Sequence, residues 1–198
     1  MPKKLISFLL ILPLVMTGCA ASRQIESAAV IETVSVSRQN EKLYYTFYRL
    51  TDKDTPDGVS VPAESFEQAQ ALAERQYIPH LTLAKLELLL YEQNISPGVL
   101  RGDLDYISTQ ASFSPVAYMA LCDKDALLRV GQKTAAQAQI EEQLILCKNQ
   151  NPGVQIDYLS VFNSCAGEKQ SSFSVPLITS GGELKVSAAE ITFSAKEK

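Results

Sequence analysis

The chain has no tryptophan, a single histidine and four cysteines in 198 residues. A metal centre needs several convergent His, Cys or carboxylate ligands, and a hydrolytic triad needs a base, so these scarcities remove the material for most such chemistry. There is no C-x-x-C, no H-E-x-x-H and no second histidine to pair with His80, which follows Pro79 and reads as a structural or surface residue. Also missing are a G-x-S-x-G elbow, a Walker loop and a G-x-G-x-x-G turn; Gly181 and Gly182 read as a hairpin turn. A basic excess is lacking too. Lys and Arg number 18 against 22 Asp and Glu, a net charge of −4 with no dense cationic block, so nucleic acid is not an expected partner. No apolar run is long enough to span a bilayer. The longest, residues 5–16, reaches about 18 Å as a helix against a hydrocarbon core of about 30 Å.

That short run is informative for what flanks it. Lys3 and Lys4 precede it, Thr17 and Gly18 follow it, and Cys19 comes next. A basic head, a short apolar stretch and a small residue before a cysteine read as a bacterial secretory signal ending in a lipobox. Cleavage is expected between Gly18 and Cys19, with S-diacylglycerol and N-acyl groups on Cys19. Residues 1–18 are then the signal and residues 19–27 a lipidated tether. The mature chain of 180 residues has lost Lys3 and Lys4, leaving a net charge of −6. Two or three acyl chains at about 0.8 kcal/mol per buried methylene hold such a protein on a membrane surface. The folded part would stand on the extracytoplasmic face.

At 46% hydrophobic and 20% charged, the remainder can bury a substantial core. Residues 28–36 and 42–50 are β-rich and joined by polar residues 37–41, an antiparallel hairpin with Tyr44, Thr46 and Tyr48 on one face and Leu43, Tyr45, Phe47 and Leu50 supplying the apolar surface. A loop follows over residues 51–62. Ser65 with Gln68 makes a capping box for a helix to about Arg75. Residues 81–91 alternate, with Ala84, Leu86, Leu88 and Leu90 on one side and Lys85 and Glu87 on the other, which predicts a central strand. Ser96 and Pro97 open a helix carrying Leu100, Leu104 and Ile107. Residues 115–121 read as a strand, and Asp123 caps a short helix stopped by Gly131. Thr134 with Gln137 reads as a second capping box, opening a helix that aligns Ala136, Ile140, Leu144 and Cys147. Residues 156–165 read as a helix; residues 172–178 and 183–194 read as strands, with a phase slip between Ala188 and Ile191 that suggests a bulge.

The expected fold is therefore α+β: a mixed sheet packed with helices in the order β-β-α-β-α-β-α-α, then a helix and a C-terminal β-hairpin, divided as 28–150 and 151–198. An oxidising exterior allows one disulfide among Cys122, Cys147 and Cys165; the apolar setting of Cys122 and the stripe position of Cys147 favour three buried thiols. Neighbouring carboxylates occur at Asp103 and Asp105, Asp123 and Asp125, and Glu141 and Glu142, and each set reads as a solvated helix face or a helix-dipole partner. No cofactor or metal site and no catalytic residue is expected.

The run S-F-E-Q-A from Ser65, H-L-T-L-A-K-L-E-L-L-L-Y-E-Q from His80, I-S-P-G-V-L from Ile95, P-V-A-Y-M-A-L from Pro115 and D-A-L-L from Asp125 resembles the Ger(x)C family of spore germination lipoproteins. Arg23-Gln24-Ile25-Glu26 after Cys19, S-V-P-L-I from Ser174 and L-K-V-S-A-A-E-I-T-F from Leu184 look like other parts of that family. The resemblance implies a non-catalytic, membrane-anchored subunit of a nutrient germinant receptor on the spore inner membrane, beside membrane-embedded A- and B-type subunits. It carries over one residue role, the lipidation of Cys19. Two other classes remain open: a solute- or cell-wall-binding lipoprotein with a cleft near residues 51–62, and a cell-envelope hydrolase using Asp103, Asp105, Asp123 and Asp125.

Overall fold

The structure, a computed structural model, describes residues 28–78, 80–166, 171–181 and 183–193. The signal, Gly18, Cys19 and the tether lie outside the described residues, as do Pro79 and Gly182. The fold is α+β. In chain order the elements are β1 (Ala29–Gln39), β2 (Lys42–Arg49), β3 (Asp57–Pro62), α1 (Phe66–Gln76), β4 (Leu81–Thr82), β5 (Leu88–Glu92), α2 (Pro97–Ser108), β6 (Tyr118–Cys122), α3 (Lys124–Val130), α4 (Thr134–Gln150), α5 (Tyr158–Cys165), β7 (Ser171–Ser180) and β8 (Leu184–Phe193). The strands make one mixed sheet in the order β3-β2-β1-β5-β6-β7-β8, with β4 pairing β1. Its centre is parallel, β1 to β5 to β6 to β7, and its flanks β2-β3 and β8 are antiparallel.

Helices cover both faces. On one side α1, α2 and α5 bury Phe66, Leu104 and Val161 against Val34, Phe47, Leu89 and Met119. On the other, α3 and α4 bury Val130, Ile140 and Leu144 against Leu88, Leu90 and Ala120. This two-sided burial makes β5 buried at all five positions, as parallel strands under two layers are. The alternation expected over residues 81–91 is therefore not one strand. Residues 81–82 are β4, a turn places the Leu86 N–H on the Leu83 carbonyl, and β5 begins at Leu88.

Other differences have local causes. The expected loop over residues 51–62 contains β3, whose Ser60 and Gly58 hide a strand pattern in which Val59 and Val61 face the core. Leu50, counted as core, is 51% exposed because β2 ends at Arg49. The β7-β8 ladder runs without a register shift, so there is no bulge between Ala188 and Ile191. The bulge lies in β1: Ile31 faces Arg49 and Thr33 faces Tyr48, leaving Glu32 as the extra residue. That extra residue lets Ile31, three positions before Val34, join Val34 and Val36 in one core.

The helix starts follow side-chain chemistry. The Ser65, Ser96, Asp123 and Asp157 side chains accept backbone N–H bonds from Gln68, Val99, Ala126 and Ser160. Thr134 does not cap α4; Lys133 is the N-cap and makes no side-chain bond. The Thr134 N–H goes instead to the Asp54 carbonyl and its hydroxyl donates to the Lys53 carbonyl, so the loop after β2 satisfies this helix end. Gln137, freed from that role, accepts the Thr33 hydroxyl in the core.

The β1-β2 turn is tighter than expected, spanning two residues, Asn40 at φ 49° and Glu41 at φ 64°. A two-residue hairpin of this hand puts both residues in the left-handed region, which Asn tolerates and a longer side chain resists by about 1–2 kcal/mol. Replacing Glu41→Gly should therefore raise stability by about 0.5–1 kcal/mol, after allowing for the larger backbone entropy of glycine in the unfolded chain. Urea denaturation of the two proteins checks this.

Candidate functional site

Of the carboxylates singled out in the sequence, Asp103 departs most from a solvated face: it is 1% exposed. Its position on α2 places it beside Leu100, Leu104 and Ile107, on the buried stripe. The Tyr45 hydroxyl donates to both carboxylate oxygens at 3.1 and 3.0 Å, the Tyr91 hydroxyl to Oδ2 at 3.2 Å, and the Phe66 N–H to Oδ1 at 2.8 Å. One side chain on α2 thus joins β2, β5 and the first turn of α1. Burial pushes its pKa up to about 6, against the pull of Phe66, Tyr45 and Tyr91. The same desolvation, with the Asp103 charge beside them, raises the Tyr45 and Tyr91 phenols. Every partner is itself buried, so the cluster orders the core and holds a proton more tightly than a free carboxyl does.

The other carboxylates of those sets lie nearer the surface. Asp123 caps α3 and also accepts the Ser180 N–H at 2.9 Å, tying the end of β6 to the end of β7. Asp105 is half-buried, and Asp125 and Glu142 are exposed, as a solvated face requires. Glu141 is half-buried and stands with Glu32 and Glu87 around a small cavity of about 110 Å³. Burial and then the charge of Glu87 raise the pKa of Glu32 and of Glu141. His80 is exposed, and its carbonyl accepts the Ala29 N–H at 2.7 Å. Cys122, Cys147 and Cys165 are free and buried. Desolvation raises all three thiols, that of Cys165 to about 12. Among the described residues no three His, Cys, Asp or Glu side chains are grouped as metal ligands, and no helix is long and apolar enough to cross a membrane.

One surface feature with converging polar groups is a cleft of about 240 Å³ at the carboxyl ends of β1 and β5. The chain leaves β1 for β2 on one side and leaves β5 for α2 and β6 on the other, and crevices of this kind are where open α/β sheets take ligands. Ser35, Ser37, Thr46 and Tyr48 form its floor; Lys124, Leu128 and Gln132 form its wall. Ser35 pairs with Thr46 across the β1-β2 ladder and Thr46 with Ser60 across the next, so the hydroxyls share one face. Tyr48 is held between two glycines: a Cβ on Gly58 would lie 2.7 Å from its ring and one on Gly131 would lie 3.1 Å from its hydroxyl. Glu92 closes the inner end, with Oε2 accepting the Arg38 N–H at 2.8 Å. The alternation of Tyr44, Thr46 and Tyr48 marked this face in the sequence; nothing local marked Lys124, Gln132 or Glu92 as its neighbours. Comparison of the chain with protein-family models, curated proteins and solved structures gave no match.

Asp103 gives the clearest test. Because its carboxyl titrates near 6 in the fold and near 4 unfolded, the native state binds more protons between those values. Its contribution to stability is greatest below about pH 4 and falls by on the order of 3 kcal/mol as pH rises through about 6. Asp103→Asn removes that titration while keeping the shape and one carbonyl acceptor, so its stability relative to the parent should rise between pH 5 and 7. Asp103→Ala strands two phenols and an N–H and should cost about 3–5 kcal/mol at neutral pH. Urea denaturation across pH measures both, and Glu32 and Glu141, unchanged in all three proteins, cancel from the comparison.

Proposed function

We propose that the chain is a membrane-anchored lipoprotein of the spore germination type, a non-catalytic subunit of a nutrient germinant receptor that acts in assembly or signalling beside two membrane-embedded subunits. The observation that carries the reading is the order basic head, short apolar run, Gly18, Cys19, followed by the Ger(x)C-like run from Ser65 to Val130. In the fold that run spans α1, β4, β5, α2, β6 and α3, a contiguous stretch of sheet and helix rather than scattered surface loops. Two of the four carboxylates weighed for hydrolysis have non-catalytic partners, Asp103 inside the core and Asp123 at two backbone N–H groups. A second reading is an extracytoplasmic solute- or cell-wall-binding lipoprotein; the cleft that favours it is lined by no residue of 51–62, where one was expected, and meets that segment only through Tyr48, whose ring rests against Gly58.

Two measurements test lipidation and germination in turn. Cys19→Ala should leave an uncleaved or soluble product; normal maturation and membrane partition of that variant would overturn lipidation at Cys19. Deletion of the gene should delay or abolish nutrient-triggered germination, and intact germination, with no receptor-type membrane proteins encoded beside the gene, removes the germination reading while leaving the second standing.

A further inference from the structure

We propose that the end of the molecule at the amino termini of β1, β5 and β6 lies on the lipid bilayer, with the segments around Tyr77 and Val116 in the head-group layer. The inference rests on the lipoprotein reading above and adds to it the face that meets the membrane.

Reach restricts the choice of face. Nine residues, 19–27, join Cys19 to the first described residue, and however they are arranged they extend no farther than about 30 Å. β1 starts at Ala29, so an anchor on Cys19 draws the bilayer toward the start of that strand. The eleven residues of β1, at about 3.3 Å each, put the Asn40-Glu41 turn about 36 Å away, beyond the tether. The carboxyl end with its cleft is therefore not the end that rests on lipid.

Hydrogen bonds lace the amino end into one surface. The Ala29 N–H donates to the His80 carbonyl at 2.7 Å, the Leu50 N–H to Val30 at 2.9 Å, the Tyr118 N–H to Glu87 at 2.7 Å and the Ser114 N–H to Leu83 at 3.3 Å. Those bonds bring together the end of β2, the segment that follows α1 and the loop before β6. On this surface are Leu50 at 51% exposure, Tyr77 at 55% and Val116 at 73%, the last the most exposed large apolar side chain among the described residues. Tyr77 is the C-cap of α1, three residues before His80, and Val116 stands between Ser114 and Ala117, whose N–H closes a turn on the Ser114 carbonyl.

Composition also sets this end apart. Of the whole chain 20% is charged, yet residues 76–84 and 106–122 hold no Asp, Glu, Lys or Arg. The first run lies at the amino end, and the second carries the loop from α2 to β6 through it. Both can therefore enter a head-group layer without stripping water from a charge, the costly part of such contact. Tyr77 brings a ring with a polar tip, the form of side chain that gathers at bilayer interfaces. At the edges Glu74 balances Arg75 and Lys85 balances Glu87, while beyond Leu50 Asp52, Asp54 and Asp57 outnumber Lys53 and Arg49. Glu32 and Glu141 add negative charge on the α4 side. With that net charge the contact is apolar and does not call on anionic lipid. A weak contact is enough, because a short tether holds the surface at an effective concentration on the order of millimolar.

The test uses the lipidated mature chain on phosphatidylcholine vesicles. Reporter cysteines replace exposed residues, Tyr77→Cys and Ser112→Cys at the proposed contact, Leu128→Cys at the cleft and Lys185→Cys opposite Thr179 on β7; Cys122, Cys147 and Cys165 are buried and stay unlabelled in the folded protein. Interfacial side chains lie about 5–10 Å into the boundary, so a quencher on shallow acyl carbons should cut the emission of a fluorophore at 77 and 112 about twofold or more and leave 128 and 185 unchanged. Val116→Asp should relieve the quenching at 112 while the chain still sediments with the vesicles, and phosphatidylglycerol should not strengthen it. Equal quenching at all four sites, or none at 77 and 112 in protein that sediments, overturns the proposal. So does quenching that needs phosphatidylglycerol, or that arises only in native membranes, which would assign this end to a protein partner. Protein that does not sediment overturns the anchor itself, and this orientation with it.

Discussion

A carboxylate taken out of water cannot be left alone, and Asp103 makes this the constraint around which one side of the molecule is arranged. Its oxygens are satisfied by two phenols from β2 and β5 and by the first N–H of α1, so three elements must reach the same point on α2. Apolar packing around it is extensive but not directional: Phe66 meets Tyr45 and Phe47 edge-on at 5.9 and 5.6 Å, a geometry many arrangements could offer. The hydrogen bonds choose among them, because a hydrophobic layer tolerates sliding and a buried donor without its acceptor does not. A second polar pin, the Tyr158 hydroxyl on the Leu104 carbonyl at 2.8 Å, fixes α5 to the same helix one residue away.

The opposite face of the sheet follows a different economy. There α3 and α4 lie over the parallel strands through apolar contacts, and the antiparallel strands β2 and β3 continue beyond them with Thr46 and Ser60 in line. β1 is the boundary: parallel to β5 on one edge, antiparallel to β2 on the other, apolar toward α1 and hydroxylated toward α3. The cleft is the space left where one regime ends before the other begins. Its position is a consequence of topology, and its polarity is a property of the particular residues placed there.

How much of this could be read in advance depends on whether the deciding interaction was local. The caps at Ser65, Ser96 and Asp123 and the stripe Ala136, Ile140, Leu144 were legible because a helix start and a helix face are written within a few residues. The supposed strand over residues 81–91 misled because an alternation can be drawn through a turn, and because β5, buried on both faces, has no alternation of its own. Thr134 satisfies the sequence rule for a capping box yet donates to Lys53, eighty-one residues away, which no local rule could indicate. Asp103 was readable in part: positions 100, 103, 104 and 107 share one face, so an acid on that stripe was a signal of a buried polar anchor, although its partners on β2 and β5 were not. The cleft showed one wall in the spacing of Tyr44, Thr46 and Tyr48; the rest came from segments brought together by the sheet.

The placement of β1 also governs the order in which the chain can become a protein. The first described strand is central, and its register with β5, Val34 opposite Leu89, cannot form until the residues in between exist. As the chain is made from its amino terminus, the β1-β2-β3 meander can close early, since its pairings are near neighbours in sequence. It then waits with one long edge open, bearing Val34 and Val36, until α1 and β5 arrive. An unpaired apolar edge is a template for the wrong partner. The nascent molecule is therefore most vulnerable midway through its synthesis, and substitutions that slow the arrival of β5 would be felt as lost yield while the finished fold kept its stability.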